Sequence, residues 1–156
     1  MNPKIKSASS LSRILVRAHA KKKRIVFTNG CFDILHIGHV TYLKKAGRLG
    51  DILVIGLNSD KSVKSIKGKD RPINSQRDRA QVLSSLSFVD YVTIFGEDTP
   101  ERLIRKLKPD ILVKGGDWKD KEIAGAFFVK SIGGRVATIP FVKGYSTTKL
   151  INKMSR

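Results

Sequence analysis

Apolar and polar positions follow two rhythms along this chain, and each change of rhythm marks an element. Leu11, Ile14, Leu15 and Ala18 recur at helical spacing behind the possible caps Ser9 and Ser10, which predicts a short amphipathic helix near the start. Arg24 to Thr28 is then a strand with Asn29-Gly30 as the turn after it, and a helix follows from about Gly38 to Leu49. The unbroken apolar run Asp51 to Leu57, DILVIGL, has the character of a strand covered on both faces in a parallel sheet. Asn58, Ser59 and Asp60 close it and could cap a helical turn, and Lys61 to Arg71 reads as a basic, glycine-containing loop. Downstream the pattern predicts a helix over Gln76 to Leu86, a strand over Tyr91 to Phe95 and a helix over Pro100 to Leu107. A strand over Ile111 to Lys114 ends in Gly115-Gly116-Asp117-Trp118. A helix over Glu122 to Ile132, a fifth strand over Arg135 to Ile139 and a terminal helix from Ser146 complete the series.

Five short strands alternating with helices predict an α/β fold, a three-layer Rossmann-like domain with a five-stranded parallel sheet and right-handed crossovers. Ligands of such sheets lie beyond the carboxyl ends of the strands, and the polar motifs of this chain all follow strand ends. The expected division is a basic helical extension over residues 1–23 and the domain proper over 24–156.

Composition narrows the classes. A length of 156 residues suits one domain with a real core, and no apolar run approaches the roughly 18 residues of a membrane span. The single Cys31 excludes an internal disulfide framework, and the amino terminus has no apolar secretory segment, so a reducing cytoplasm is the expected setting. A net charge of +18 favours anionic partners such as nucleotides, phosphorylated metabolites or nucleic acid. Part of it is a solvated leader: Lys4, Lys6, Arg13, Arg17, Lys21, Lys22, Lys23 and Arg24 occur before any acidic residue.

The candidate chemistry begins at the first strand. Phe27 to His39, FTNGCFDILHIGH, is a strand, a turn, and two histidines flanking a glycine at a helix start. Helix-start N–H groups favour negative charge, Gly38 lets backbone approach phosphate, and the imidazoles of His36 and His39 add donors without blocking an in-line path. A capped surface helix is the plain alternative. A zinc site is a poorer one, because no Cys or Glu cluster completes a shell, and Asp33 better suits a magnesium ion carried in with phosphates.

Thr28 to His39, followed by Leu43, Gly50 and Asp51, resembles the opening of the cytidylyltransferase-like superfamily, whose HxGH motif is shared with class I aminoacyl-tRNA synthetases. The runs Lys67 to Asn74, Val89 to Val92, Glu97 to Pro100, Pro109 to Asp117 and Gly144 to Lys149 are more narrowly similar to the adenylyltransferases of ADP-heptose synthesis. The resemblance covers residues 24 to 153. It implies transfer of AMP from ATP to D-glycero-β-D-manno-heptose 1-phosphate with release of pyrophosphate, magnesium as a companion ion, a separate sugar kinase upstream, a homo-oligomer, and neither membrane nor nucleic acid as a partner.

The resemblance also implies site residues. His36, His39 and Lys67 would be catalytic, with Lys69 competing for the role of Lys67. Thr28, Asn29, Gly30, Cys31, Phe32, Asp33, Gly38, Arg79, Gly115, Asp117, Ser146, Thr147 and Thr148 would line the nucleotide, Asp33 also touching magnesium. Arg79 has an equally good structural account as an ion pair, and a plain helix cap is the lesser alternative for Ser146. Where cytidylyltransferases carry an Arg-Thr pair, this chain has Phe141-Val142, which counts against glycerol phosphate or choline phosphate as acceptor and leaves Lys143 as a substitute charge. Glycerol 3-phosphate, ethanolamine phosphate and FMN remain runner-up acceptors. A non-catalytic RNA-binding module is the rival class, disfavoured because the aromatic residues fall mostly at predicted core positions.

Overall fold

Side chains on neighbouring strand positions leave opposite faces of a sheet, and the helices sort accordingly. The computed structural model describes residues 2–116 and 122–155. Its strands are β1 (Ile25–Gly30), β2 (Ile52–Asn58), β3 (Tyr91–Phe95), β4 (Ile111–Gly115) and β5 (Arg135–Ile139). Between them run α1 (Ala8–Ala20), α2 (Ile37–Gly47), α3 (Asp60–Lys67), α4 (Gln76–Ser84), α5 (Glu101–Leu107), α6 (Ala126–Ser131) and α7 (Thr147–Met154). Every pairing is parallel, in the order β3-β2-β1-β4-β5.

Val26, Leu53, Ile55, Ile111 and Val113 face one core with Leu43 and Ala46 of α2 and Leu83 of α4. Phe27, Val54 and Leu112 face the other with Leu11 and Leu15 of α1, Ile104 of α5 and Val129 of α6. The three-layer parallel fold expected from the sequence is therefore the fold observed. β1 lies at its centre, and the chain winds away from it in one direction through β2 and β3 and in the other through β4 and β5. That reversal opens a crevice beyond the carboxyl ends of β1 and β4, where α/β sheets take their ligands.

The basic leader is built into this domain. Leu11 and Leu15 are fully buried, each contributing about 1.5–3 kcal/mol relative to exposure. His19 Nε2 lies 3.0 Å from Asp110 Oδ2, the same oxygen that accepts from the Ile25 N–H at 2.7 Å. Ile5 bridges to Val92 on the β3 edge. The boundary placed after residue 23 thus marks a change of charge and not of packing.

Three local readings change. β1 runs on through Asn29 and Gly30, so the turn begins at Cys31. The basic segment after Asp60 is mostly helix, not loop: Ser59 caps it by accepting from the Ser62 N–H, Asp60 sits in its positive first turn, and Ser62 and Val63 are its buried residues. The helix predicted from Glu122 begins as α-helix only at Ala126, behind Gly125 at φ 83°.

Candidate active site

β1 delivers the chain to the crevice through a left-handed residue. Phe32 has φ 44°, a conformation that a bulky side chain adopts only where its surroundings hold it. Here the ring packs across Gly30, where an added Cβ would meet Phe32 Cε2 at 2.9 Å, and meets the His39 ring edge-on with centroids 5.2 Å apart. α2 then starts at Ile37, with His36 as its N-cap, no capping side chain and no acidic residue in its first turn. Its leading N–H groups and positive dipole end are thus met by neither a capping side chain nor an acid of the first turn.

The two imidazoles stack, with centroids 3.8 Å apart and planes at 22°. Burial depresses the pKa of both. For His39, burial and then the charge of His36 bring it down to about 4, while the backbone of Ile34 draws it back in part. Both rings are therefore neutral at pH 7 in the free protein. His36 Nδ1 and His39 Nδ1 are buried without a partner, and Thr93 Oγ1, two strands away, is the other such atom among the described residues. An orphan of this kind costs about 1–3 kcal/mol, and two in contact mark a place built to meet a polar ligand.

The carboxyl-terminal segment closes over them. Tyr145 stacks toward His36 with centroids 6.4 Å apart, and a Cβ on Gly38 would lie 3.3 Å from Tyr145 Cβ. Thr147 Oγ1 donates to the Ile34 carbonyl at 3.4 Å. Ser146 caps α7 by accepting from the Lys149 N–H, again with no acid in the first turn, and Thr148 is exposed. The Ser-Thr-Thr element and the histidines expected to act together thus sit at one rim.

Basic groups surround Cys31. Burial raises its thiol pKa, and the charges of Lys67, Arg79 and Arg71, in that order, pull it back; the Lys67 side chain is exposed. Lys114, at the carboxyl end of β4, is pushed below the usual lysine range by burial and drawn up by Cys31. Sequence reading did not single out Lys114 as a site residue. The available signal was a lone lysine in the apolar strand ILVKG.

Several expected ligand contacts are instead structural. The Asp33 side chain is fully buried. Its carboxylate accepts from Arg71 Nε at 2.6 Å and from the N–H groups of Ile73 and Asn74 at 2.9 Å. Burial alone would raise its pKa, but these donors outweigh it and hold the carboxyl below the ordinary range. Both oxygens are taken up, so Asp33 does not fit a magnesium ligand in this arrangement. Arg79, 2% exposed, donates to the carbonyls of Asn74 and Cys31 and, at 2.8 Å, to Asp60 Oδ1. It ties three segments together and does not face a ligand. Thr28 Oγ1, also buried, shares a 2.7 Å hydrogen bond with the Tyr42 hydroxyl, which donates on to the Val113 carbonyl. Asn29 and Gly30 end β1 at the crevice, and Gly115 and Gly116 lie beside them at the end of β4. Asp117 and Trp118 lie outside the described residues.

The aromatic residues are not all in the core. Phe127, Phe141 and Tyr145 are 84%, 69% and 51% exposed. Among the described residues no helix is long and apolar enough to cross a membrane.

Residues 27–153 match the cytidylyltransferase-like family. The bifunctional protein HldE of Campylobacter concisus is 60% identical over 151 residues, 97% of this chain and 31% of the relative. The protein of the same name from Geobacter metallireducens is 53% identical over 98% of this chain and 31% of its own length. The chain thus spans about a third of the curated relatives it matches. Among solved structures, a lipopolysaccharide core biosynthesis protein from Thermoplasma volcanium is 31% identical, with a TM-score of 0.62 over 80% of this chain and 99% of that one. Pantothenate synthetase from Thermus thermophilus shares the fold at 19% identity and a TM-score of 0.62, over 94% of this chain and 67% of that one.

Proposed function

The chain belongs to the cytidylyltransferase-like family, and from that premise we propose that it transfers AMP from ATP to D-glycero-β-D-manno-heptose 1-phosphate, releasing pyrophosphate. The observation that carries the reading is the pair of stacked imidazoles with orphan nitrogens, set between two helix starts that lack acidic residues. A triphosphate supplies what that arrangement lacks: oxygens to accept from imidazole N–H groups and negative charge for two positive helix ends.

An oxygen of the sugar phosphate attacks the α-phosphorus, a new P–O bond forms, and the bond to the bridging oxygen of pyrophosphate breaks. The nucleophile is already an anion at neutral pH, so the chain needs no general base. What it contributes is alignment and stabilisation of charge on the phosphoryl oxygens. His39 and His36 hold the α-phosphate region, the α2 and α7 starts hold the outer phosphates, and Lys67 and Lys114 neutralise charge from two sides. Magnesium supplies further charge neutralisation when carried in on the phosphates. With Asp33 engaged by Arg71, no group of metal-ligating side chains among the described residues holds it.

The acceptor must arrive phosphorylated, so a sugar kinase activity precedes this one. The name of the longer relatives, a bifunctional protein, supports that pairing. The narrow choice of acceptor rests on the HldE similarity and on Phe141-Val142 in place of an Arg-Thr pair. Pyrophosphate release, followed with each nucleoside triphosphate against heptose 1-phosphate, glycerol 3-phosphate, ethanolamine phosphate and FMN, tests it. Release only from ATP with the heptose phosphate is expected, and release from CTP with an alcohol phosphate would overturn the assignment.

A further inference from the structure

Phe141 is 69% exposed, although it follows a strand that ends in the buried Ile139. Its ring spans the Gly115-Gly116 turn: a Cβ on Gly115 would sit 2.7 Å from Phe141 Cε1, and one on Gly116 would sit 2.6 Å from Cε2. Any side chain at either position would evict the ring. Gly116 also has φ 89° and donates its N–H to the Ile139 carbonyl at 2.9 Å, which fastens the turn to the strand leading into Phe141. The two glycines therefore serve to seat this ring at the end of β4, and the bulk of its surface is still presented to solvent.

We infer that Phe141 is the platform on which the nucleobase stacks. The inference rests on the polyphosphate reading of the imidazole site and adds to it the residue that recognises the other end of the nucleotide. Three residues lie between Phe141 and Tyr145, so at most about 14 Å of extended chain separates them, and the Tyr145 ring stacks toward His36. A nucleotide with its phosphates at the imidazoles can span that interval. One side of the ring lies against the Gly115-Gly116 turn, and its open side suits the face of an aromatic base.

The test separates the two ends of the ligand. Binding of ATP and of inorganic tripolyphosphate to the full chain is measured by calorimetry for the unaltered protein, Phe141→Ala and Phe141→Trp. Phe141→Ala is expected to weaken ATP by roughly 5- to 100-fold, the effect of losing one base–aromatic stack, with tripolyphosphate little changed. Phe141→Trp is expected to keep or tighten ATP binding. If Phe141→Ala binds both ligands as the unaltered chain does, or loses both equally, the platform is wrong while the phosphate site stands. If the substitution leaves ATP binding alone and raises only the KM for the sugar phosphate, the ring serves the acceptor and the inference fails. If the unaltered chain binds neither ATP nor tripolyphosphate, the polyphosphate reading falls and takes the platform with it.

Discussion

Two polar clusters grow from the same dozen residues after β1, and they are built on opposite terms. Around Asp33 and Arg79 the groups are matched: both carboxylate oxygens accept, and Nε and both terminal nitrogens of the guanidinium donate. Around His36 and His39 they are not, since two touching rings each bury an Nδ1 without a partner. A saturated cluster has nothing left to offer a ligand and serves as scaffold. An unsaturated one, tolerated because its neighbours hold it in place, is where a ligand belongs. The identity of the residues alone does not make this distinction, because Asp and Arg belong to active sites as often as His does.

The comparison can be broken most sharply at Arg79. Arg79→Met strands Asp60, Asn74 and Cys31, and should lower unfolding free energy by about 3–5 kcal/mol, read as a shift of the urea midpoint. An unshifted midpoint would mean that the arginine is not scaffold. His39→Ala should do the reverse, lowering turnover by about two or more orders of magnitude with the urea midpoint nearly unchanged, and full activity in that variant would refute the role of the ring. A pH series sharpens the contrast. The folded-state pKa of His39 is depressed to about 4 from 6.5, so between these values the unfolded chain binds more protons and stability must fall as pH is lowered. His39→Ala should flatten that fall in melting temperature, and an unaltered slope would mean that His39 is not the group responsible. Bound triphosphate, by its charge, should raise the same pKa. The smallest effect is reserved for Glu101→Gln, which breaks the exposed pair with Arg105. It should cost no more than about 0.5 kcal/mol, in denaturant melts that would show whether pairing without burial is enough to build a scaffold.

Much of the fold was legible because its strands are short, apolar and bounded by turn residues. The runs at Asp51, Tyr91, Ile111 and Arg135 each became a strand within a residue of the predicted limits. α3 was not legible: it is short, its buried positions are only Ser62 and Val63, and its lysines and serines look the same along a solvated helix as along a loop. At the site, the histidines and the Ser-Thr-Thr helix start could be read from order along the chain. The tasks of Asp33, Arg79 and Thr28 could not, because each depends on which distant group arrives within hydrogen-bonding distance. Lys114 escaped notice, and Phe141 stood out only as a departure from an Arg-Thr pair, for a similar reason. A lysine in a strand and an aromatic after one acquire meaning only when β4 and β5 are laid beside β1.

That adjacency of β1 and β4 also sets a schedule. The Ile25 amide and the Asp110 carboxylate that receives it are 85 residues apart, and closing so wide a loop must precede any gain from the contact. Before β4 is added, β1 to β3 form a half-sheet whose open flank is a row of unpaired peptide groups. Only when β4 arrives does that flank disappear, so an interrupted chain keeps an open strand edge and is prone to stick to its own kind.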